Sequence, residues 1–316
     1  MLDEPLRVER AVPQAGTARS RPTMLAIAGD SASGKTTLTR GLVEALGPER
    51  CISICVGDYH RYDRQERRSL PFTPLHPRCN YVEIMEQHLQ LLASGQPILK
   101  PVYDHRSGTL TRPELVEPRE FVIVEGVLPL HTRRSRACFD VSVYLDPPEA
   151  IRHRWKLARD TQERGYSAGQ VRAELDRREA EAEAFVRPQR RWADLVVRWL
   201  PVDSRHHPPG APLSASLLLR PTVRRPDLAA ILGPESSPAM QLTSTRGDGG
   251  RTVQAVHIQC RASREESRVV EKLIWHSLGR SDGVPETLGL LDGETRSEPL
   301  ALTQLVILCL LLANVG

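Results

Sequence analysis

Residues 29–37 read GDSASGKTT and fit the pattern G-x-x-x-x-G-K-[ST]. Few stretches of this length limit a fold so tightly. The glycines let backbone N–H groups converge on phosphate oxygens, and the lysine, Lys35, reaches the β and γ phosphates. The Thr36 hydroxyl ligates Mg²⁺, and a helix N-terminus behind it adds partial positive charge. Such a loop works only between a strand and a helix. Both are legible here: Met24 to Ala28 is a short apolar run, and residues 36–46 have helical spacing closed by Gly47-Pro48. Gly29, Asp30, Ser31, Ala32, Ser33, Gly34, Lys35, Thr36 and Thr37 therefore form the expected ATP site, with Lys35 catalytic.

The rest of the first 200 residues alternates strand and helix. Residues 52–56, 121–124 and 141–145 are apolar runs of strand length, and residues 81–92 have helical spacing ended by Gly95. Asn80 and Glu83 resemble a capping box at the start of that helix. The alternation predicts an α/β fold with a mostly parallel sheet covered by helices, and with the phosphate loop it leaves kinases, switch GTPases and motor-type ATPases open. FVIVEG, residues 121–126, ends its strand in an acid, so Glu125 joins Thr36 as a candidate Mg²⁺ ligand. A switch GTPase is disfavoured, because none of the four lysines (35, 100, 156 and 272) sits in an Asn-Lys-x-Asp motif.

Three regions are expected: a flexible tail over 1–22, a P-loop kinase domain over 23–200, and a C-terminal α+β extension over 201–316 packed on it. Prolines 201, 208, 209 and 212 mark the joint. Strand-like pieces follow at 217–219, 240–243 and 253–258, and Ser263 with Glu266 caps a helix through Trp275. The apolar run 305–313 is too short for a membrane span and reads as a buried helix. A net charge of +4 is too small to imply nucleic-acid binding. The six cysteines show no metal spacing, and the N-terminus has no basic n-region, which points to the cytoplasm.

Residues 56–68, VGDYHRYDRQERR, hold four arginines, far more phosphate-capable donors than a loop leaving a sheet requires. Residues 150–165, AIRHRWKLARDTQERG, read as a helix. Ile151, Trp155 and Ala158 share one face, and Arg152, Lys156 and Arg159 the adjacent one. The segment lies where a P-loop kinase places its lid, from which an arginine neutralises charge on the transferring phosphoryl group. PVYDHRSGTL, residues 101–110, adds Tyr103, His105 and Arg106 in a loop, with Tyr103 and His105 as partners for sugar hydroxyls.

GDSASGKTT, DYHRYDR, PVYDHRSG, VIVEG and WKLARDTQERG occur in this order between about residues 24 and 200. The ordered set resembles the phosphoribulokinase family of P-loop kinases, within the wider group that includes uridine kinase. The resemblance implies an ATP- and Mg²⁺-dependent kinase that turns ribulose 5-phosphate into ribulose 1,5-bisphosphate. It implies that His60 and Arg64 contact the sugar phosphate, that the lid residues Lys156 and Arg164 bind the substrate while Arg159 is catalytic, and that Asp160 is a catalytic carboxylate. The implied partners are ATP and a sugar phosphate, with no nucleic acid and no membrane, in a homo-oligomer.

Two positions depart from the family pattern. The family usually reads Asp-Asp-Tyr-His where this chain reads Gly57-Asp58-Tyr59-His60, so the proposed base is replaced by glycine. Asp58 is the expected substitute. The P-loop position that holds a cysteine in thiol-regulated members is Ser33, leaving Cys55 without that partner. Two other readings stay open: a uridine kinase-like or other small-metabolite kinase, and a nucleotide-binding regulatory protein with impaired turnover.

Overall fold

The computed structural model describes residues 21–202, 208, 210–224, 226–232, 237–247, 250, 252–291 and 293–315. The expected tail lies almost wholly outside these described residues, as does part of the proline-rich joint. The chain begins with β1 (Thr23–Gly29), α1 (Lys35–Leu46) and β2 (Cys51–Cys55). A 3₁₀ turn, Val56–Tyr59, leads through further turns to α2 (Val82–Ala93). A hairpin of β3 (Ile98–Asp104) and β4 (Thr109–Val116) stands apart from the main sheet. Then come β5 (Phe121–Gly126), α3 (Arg133–Arg136), β6 (Val141–Leu145), α4 (Glu149–Glu163), α5 (Ala168–Glu181) and β7 (Leu195–Pro201). The remainder is β8 (Leu213–Leu219), α6 (Leu228–Leu232), β9 (Met240–Arg246), β10 (Thr252–Ile258), α7 (Arg264–Ser277) and α8 (Glu298–Leu312).

One sheet takes in both halves of the chain, in the order β2-β5-β1-β6-β7-β8-β10-β9. The first five strands are parallel, and β7 to β9 pair antiparallel. β1 lies between β5 and β6 and is buried along its whole length, which is why it reads as an unbroken apolar run rather than an alternating one. The C-terminal region continues the sheet edge to edge. It is joined to the kinase segment by seven register pairs from Leu195↔Leu219 to Pro201↔Leu213, a closer union than a body packed on the surface.

A single apolar cluster runs from Leu25 and Leu38 through Leu217 and Val256 to Leu311. α8 lies against α1, α7, β8 and β10, and Pro299 to Leu311 are all buried. Its one amide, Gln304, donates through Nε2 to Leu38 O at 3.1 Å and accepts from Gly289 N at 2.8 Å. Gly41 of α1 faces that amide so closely that a Cβ there would collide with it. The Ser263–Glu266 capping box forms at the start of α7. Among the described residues, no helix is long and apolar enough to cross a membrane.

Two local expectations need correction. The Asn80–Glu83 capping box does not form: α2 starts after Tyr81 without a side-chain cap. Asn80 instead gives both amide hydrogens to Pro74 O and His76 O, each at 3.0 Å. In α4, the supposed apolar face turns inward only at Ile151, while Trp155 and Ala158 are exposed. The charged face with Arg152, Lys156 and Asp160 is the buried one, because it docks on a polar loop rather than on the core.

Candidate active site

The carboxyl ends of β1, β2 and β5 meet where an open α/β sheet places its ligands. Cys55, at the end of β2, pairs in register with Glu125, which also pairs with Ile27 of β1. The loop between β1 and α1 needs backbone that ordinary residues avoid. Gly34 stands at φ 91°, and Ala32 sits in the left-handed region at φ 62°. Such backbone turns successive N–H groups toward one concavity that suits an anion.

Lys35 curls over its own loop, with Nζ donating to Gly29 O at 3.0 Å and Asp30 O at 2.7 Å. Burial pushes its ammonium down to about 8, against the attraction of Glu125 and Asp30. Thr36 Oγ1 donates to the Glu125 carboxylate, at 3.0 and 3.2 Å from its two oxygens. Burial raises the Glu125 carboxyl, and Lys35 and Thr36 oppose that rise. A hydroxyl and a buried carboxylate in contact beside a phosphate loop are oxygen donors that fit a divalent cation.

α4 closes this loop from the side. Arg152 Nη1 lies 3.3 Å from Asp30 Oδ2, and Arg159 Nη2 donates to Ser31 Oγ at 3.3 Å. Asp160 gathers the cations of the helix: Lys156 Nζ at 2.5 Å, Arg159 Nε at 2.9 Å and Arg164 Nε at 3.7 Å. Burial alone would raise the Asp160 carboxyl, but Arg159 and Lys156 outweigh it and hold the group below the usual carboxylate range. Lys156 is turned wholly inward, to Asp160 and, at 3.8 Å, to Glu174. Here it braces the lid rather than facing an open cleft.

On the acceptor side, the turn after β2 meets the β3–β4 hairpin. Asp58 is fully engaged: Lys100 Nζ lies 2.5 Å from Oδ2, and Tyr103 N donates to Oδ1 at 3.2 Å. A carboxylate held by a lysine and a backbone amide fastens turn to hairpin and is poorly placed to take a substrate proton, contrary to the expectation for Asp58. Tyr103 lies within β3 rather than in a loop, and its hydroxyl accepts a hydrogen bond from Arg67 Nη2. Arg64 Nη2 donates to His105 O at 2.6 Å, its guanidinium lies 4.9 Å from the centre of the Tyr166 ring, and its backbone N donates to Gly108 O. Gly108, at φ 81°, leaves the room in which the Arg64 side chain lies.

His60 is buried, with Nδ1 2.8 Å from Asn80 Oδ1. Because the Asn80 nitrogen is committed to two carbonyls, its oxygen must accept, so His60 Nδ1 carries the proton and Nε2 keeps its lone pair. Burial, reinforced by Arg67, pushes this imidazole down to about 3. A neutral His60 therefore offers an acceptor, suited to a sugar hydroxyl more than to a phosphate.

Sequence reasoning overlooked Arg67, Lys100 and Asn80. Lys100 was visible by its rarity, as one of four lysines. Arg67 was visible only as one of the four arginines in residues 56–68, and Asn80 only as a supposed cap, since the partners that set them, Tyr103 and His60, lie on other segments.

The sequence model of the Phosphoribulokinase / Uridine kinase family matches residues 24–205, more than half of the chain. Phosphoribulokinase of Synechocystis sp. is 40% identical over 185 residues, covering 58% of this chain and 56% of that protein. The chloroplastic phosphoribulokinase of Arabidopsis thaliana is 32% identical over 202 residues, 58% of this chain and 51% of its own. The chain thus spans about half the length of these relatives. A uridine kinase of Oceanobacillus iheyensis is 32% identical over 187 residues, covering 57% of this chain and 87% of that protein. The solved structure of phosphoribulokinase from Rhodobacter spheroides superposes with a TM-score of 0.58 at 14% identity, covering 82% of this chain and 95% of that one, a likeness of fold. Because the family model spans more than half of its length, the chain belongs to the phosphoribulokinase / uridine kinase family.

Proposed function

We propose that the chain is an ATP-dependent kinase that phosphorylates ribulose 5-phosphate to ribulose 1,5-bisphosphate, with Mg²⁺ as its metal. One observation carries the choice of acceptor. Arg164, Arg159 and Arg67 all bear electrostatically on His105, and Arg67 and Arg64 on Tyr103. Four guanidinium groups from two distant segments therefore gather at the acceptor side, and one of them, Arg159, also reaches the phosphate loop at Ser31. A sugar phosphate brings the second anion that such forks hold, and a nucleoside does not.

Thr36 and Glu125 would hold the Mg²⁺, which supplies charge neutralisation at the β and γ phosphates when bound. Lys35 covers the same phosphates, and Arg159 reaches the loop from the lid to offset charge on the moving phosphoryl group. Asp160 keeps Arg159 and Arg164 aimed and compensates Lys156. Arg64 orients the acceptor phosphate, and His60 accepts from a sugar hydroxyl.

The test is coupled ADP release over ribulose 5-phosphate, ribose 5-phosphate, uridine and pantothenate. Turnover should be fastest with ribulose 5-phosphate. Uridine stays in the screen because the uridine kinase relative aligns over most of its own length. Faster turnover with uridine would overturn the sugar-phosphate reading, and ATP binding without acceptor-dependent ADP release would favour a regulatory protein.

A further inference from the structure

A Cβ built on Gly57 would meet His105 Nε2 at 2.7 Å, His105 Cε1 at 3.1 Å and Cys55 Sγ at 3.2 Å. The imidazole of His105 thus fills the space that a side chain at residue 57 would take. The surroundings make that space chemical rather than structural. Behind it stands Cys55, in register with Glu125 and within electrostatic reach of Lys35. From the lid side come Arg164 and Arg159, the latter bonded to the phosphate loop at Ser31. Tyr103 and His60 meet the His105 ring edge to face, with centroids 5.0 and 5.9 Å away. Arg64 holds its backbone carbonyl. Among the described residues, neither ring nitrogen of His105 has a hydrogen-bond partner, so the ring is fixed by packing and its nitrogens stay available.

We infer that His105 is the general base of the reaction, accepting on Nε2 the proton of the attacking sugar hydroxyl, with its imidazole standing where a side chain at residue 57 would otherwise stand. This rests on the kinase reading above and gives His105 a role beyond substrate binding. The hydroxyl oxygen bonds to the γ-phosphorus, and the bond from that phosphorus to the β–γ bridging oxygen breaks, its electron pair leaving with ADP. The hydroxyl proton passes to Nε2 and then to solvent. Burial, with Arg164, Arg159 and Arg67, pushes the imidazole down to about 4, against Asp58, so the ring is neutral and proton-accepting at ordinary pH. Cys55 offers no rival base, because burial with Glu125 and Asp58 pushes its thiol up to about 12. A bound phosphate dianion would offset the arginines and strengthen the base as the acceptor arrives.

Steady-state kinetics of three variants test this, using the acceptor that passes the ADP-release screen, with ATP affinity as the check on folding. His105→Gln keeps polarity and reach but loses basicity. Its kcat should fall about 100-fold or more, with little change in acceptor KM and with the acid limb of the kcat–pH profile gone. His105→Ala should lose kcat likewise, and adding Gly57→Asp to it should restore much of the loss by moving the base across the same space. Gly57→Asp alone should lower kcat, because its Cβ displaces the imidazole. An unchanged kcat with a raised acceptor KM in His105→Gln would make His105 a binding group only and overturn the inference. So would a reduced kcat that keeps the wild-type acid limb, or activation by Gly57→Asp alone. A wild type active on uridine alone would sink the sugar-phosphate reading while leaving the His105 test intact. A wild type without acceptor-dependent ADP release would overturn both.

Discussion

Between Gly29 and Thr37, consecutive residues make the phosphate cradle, whereas the wall formed by Gly57 and His105 joins two positions separated by α2 and the whole of β3. The cradle binds through backbone groups, so its geometry is written in one motif. The proposed acceptor wall is built of side chains, and each is set by a partner elsewhere: His60 by Asn80, Tyr103 by Arg67, Asp58 by Lys100. A loss in one element can then be made good from another without altering the shape of the cleft. On the inference above, Gly57 and His105 form such a pair.

The contrast can be broken at either end. Lys35→Ala should give the largest effect, a loss of kcat of about 10³-fold or more in the ADP-release assay, because charge compensation dominates phosphoryl transfer. A near-normal rate would mean that the cradle is not where phosphate is held. Arg64→Ala should raise the sugar-phosphate KM by roughly 10- to 100-fold through loss of a charge-assisted hydrogen bond, and leave the ATP KM nearly untouched. Equal changes in both constants would merge the two halves into one site.

Next in size is a pH effect confined to the acceptor wall. The His60 imidazole is pushed down to about 3 in the fold from an ordinary 6.5. Below 6.5 the unfolded chain binds a proton that the native state refuses, so stability falls as pH drops from 6.5 toward 3. His105, pushed down to about 4, acts in the same direction. Urea midpoints across this range should slope downward toward acid, and His60→Gln should flatten the slope. An unaltered slope would mean that other groups carry it.

The smallest expected effect is none. All six cysteines are free, and Ser33 stands in the loop where a thiol would be needed. Cys55 also holds its proton firmly. Dithiol treatment should leave kcat unchanged, whereas reversible several-fold activation at low protein concentration would contradict this.

What was legible follows the same division. β6 matched its expected range residue for residue, and β1, α1 and β5 within a residue or two, because burial on both faces or a motif fixes them. The inward turn of Lys156 was not legible, since a charged stripe on a helix looks the same whether it meets water or Asp30 and Ser31. Asn80 misled for a related reason. Its spacing to Glu83 fits a cap, but a buried imidazole at His60 was the stronger claim on its oxygen. Asp58 looked like a displaced base until its partner Lys100, from another strand, came into view.

The contact between Gln304 and the backbone of α1 spans 266 positions of sequence. Loops of that length close slowly, and contacts across them form late. The motif residues at 29–37 exist early in synthesis, but the apolar bed under their helix is complete only once α8 has returned to it. A span cut to residues 24–205 would hold every chemical group of the cradle and still expose the apolar side of α1. Nucleotide affinity should therefore serve as a late reporter of folding, appearing with closure of the distant helix rather than with formation of the first strands.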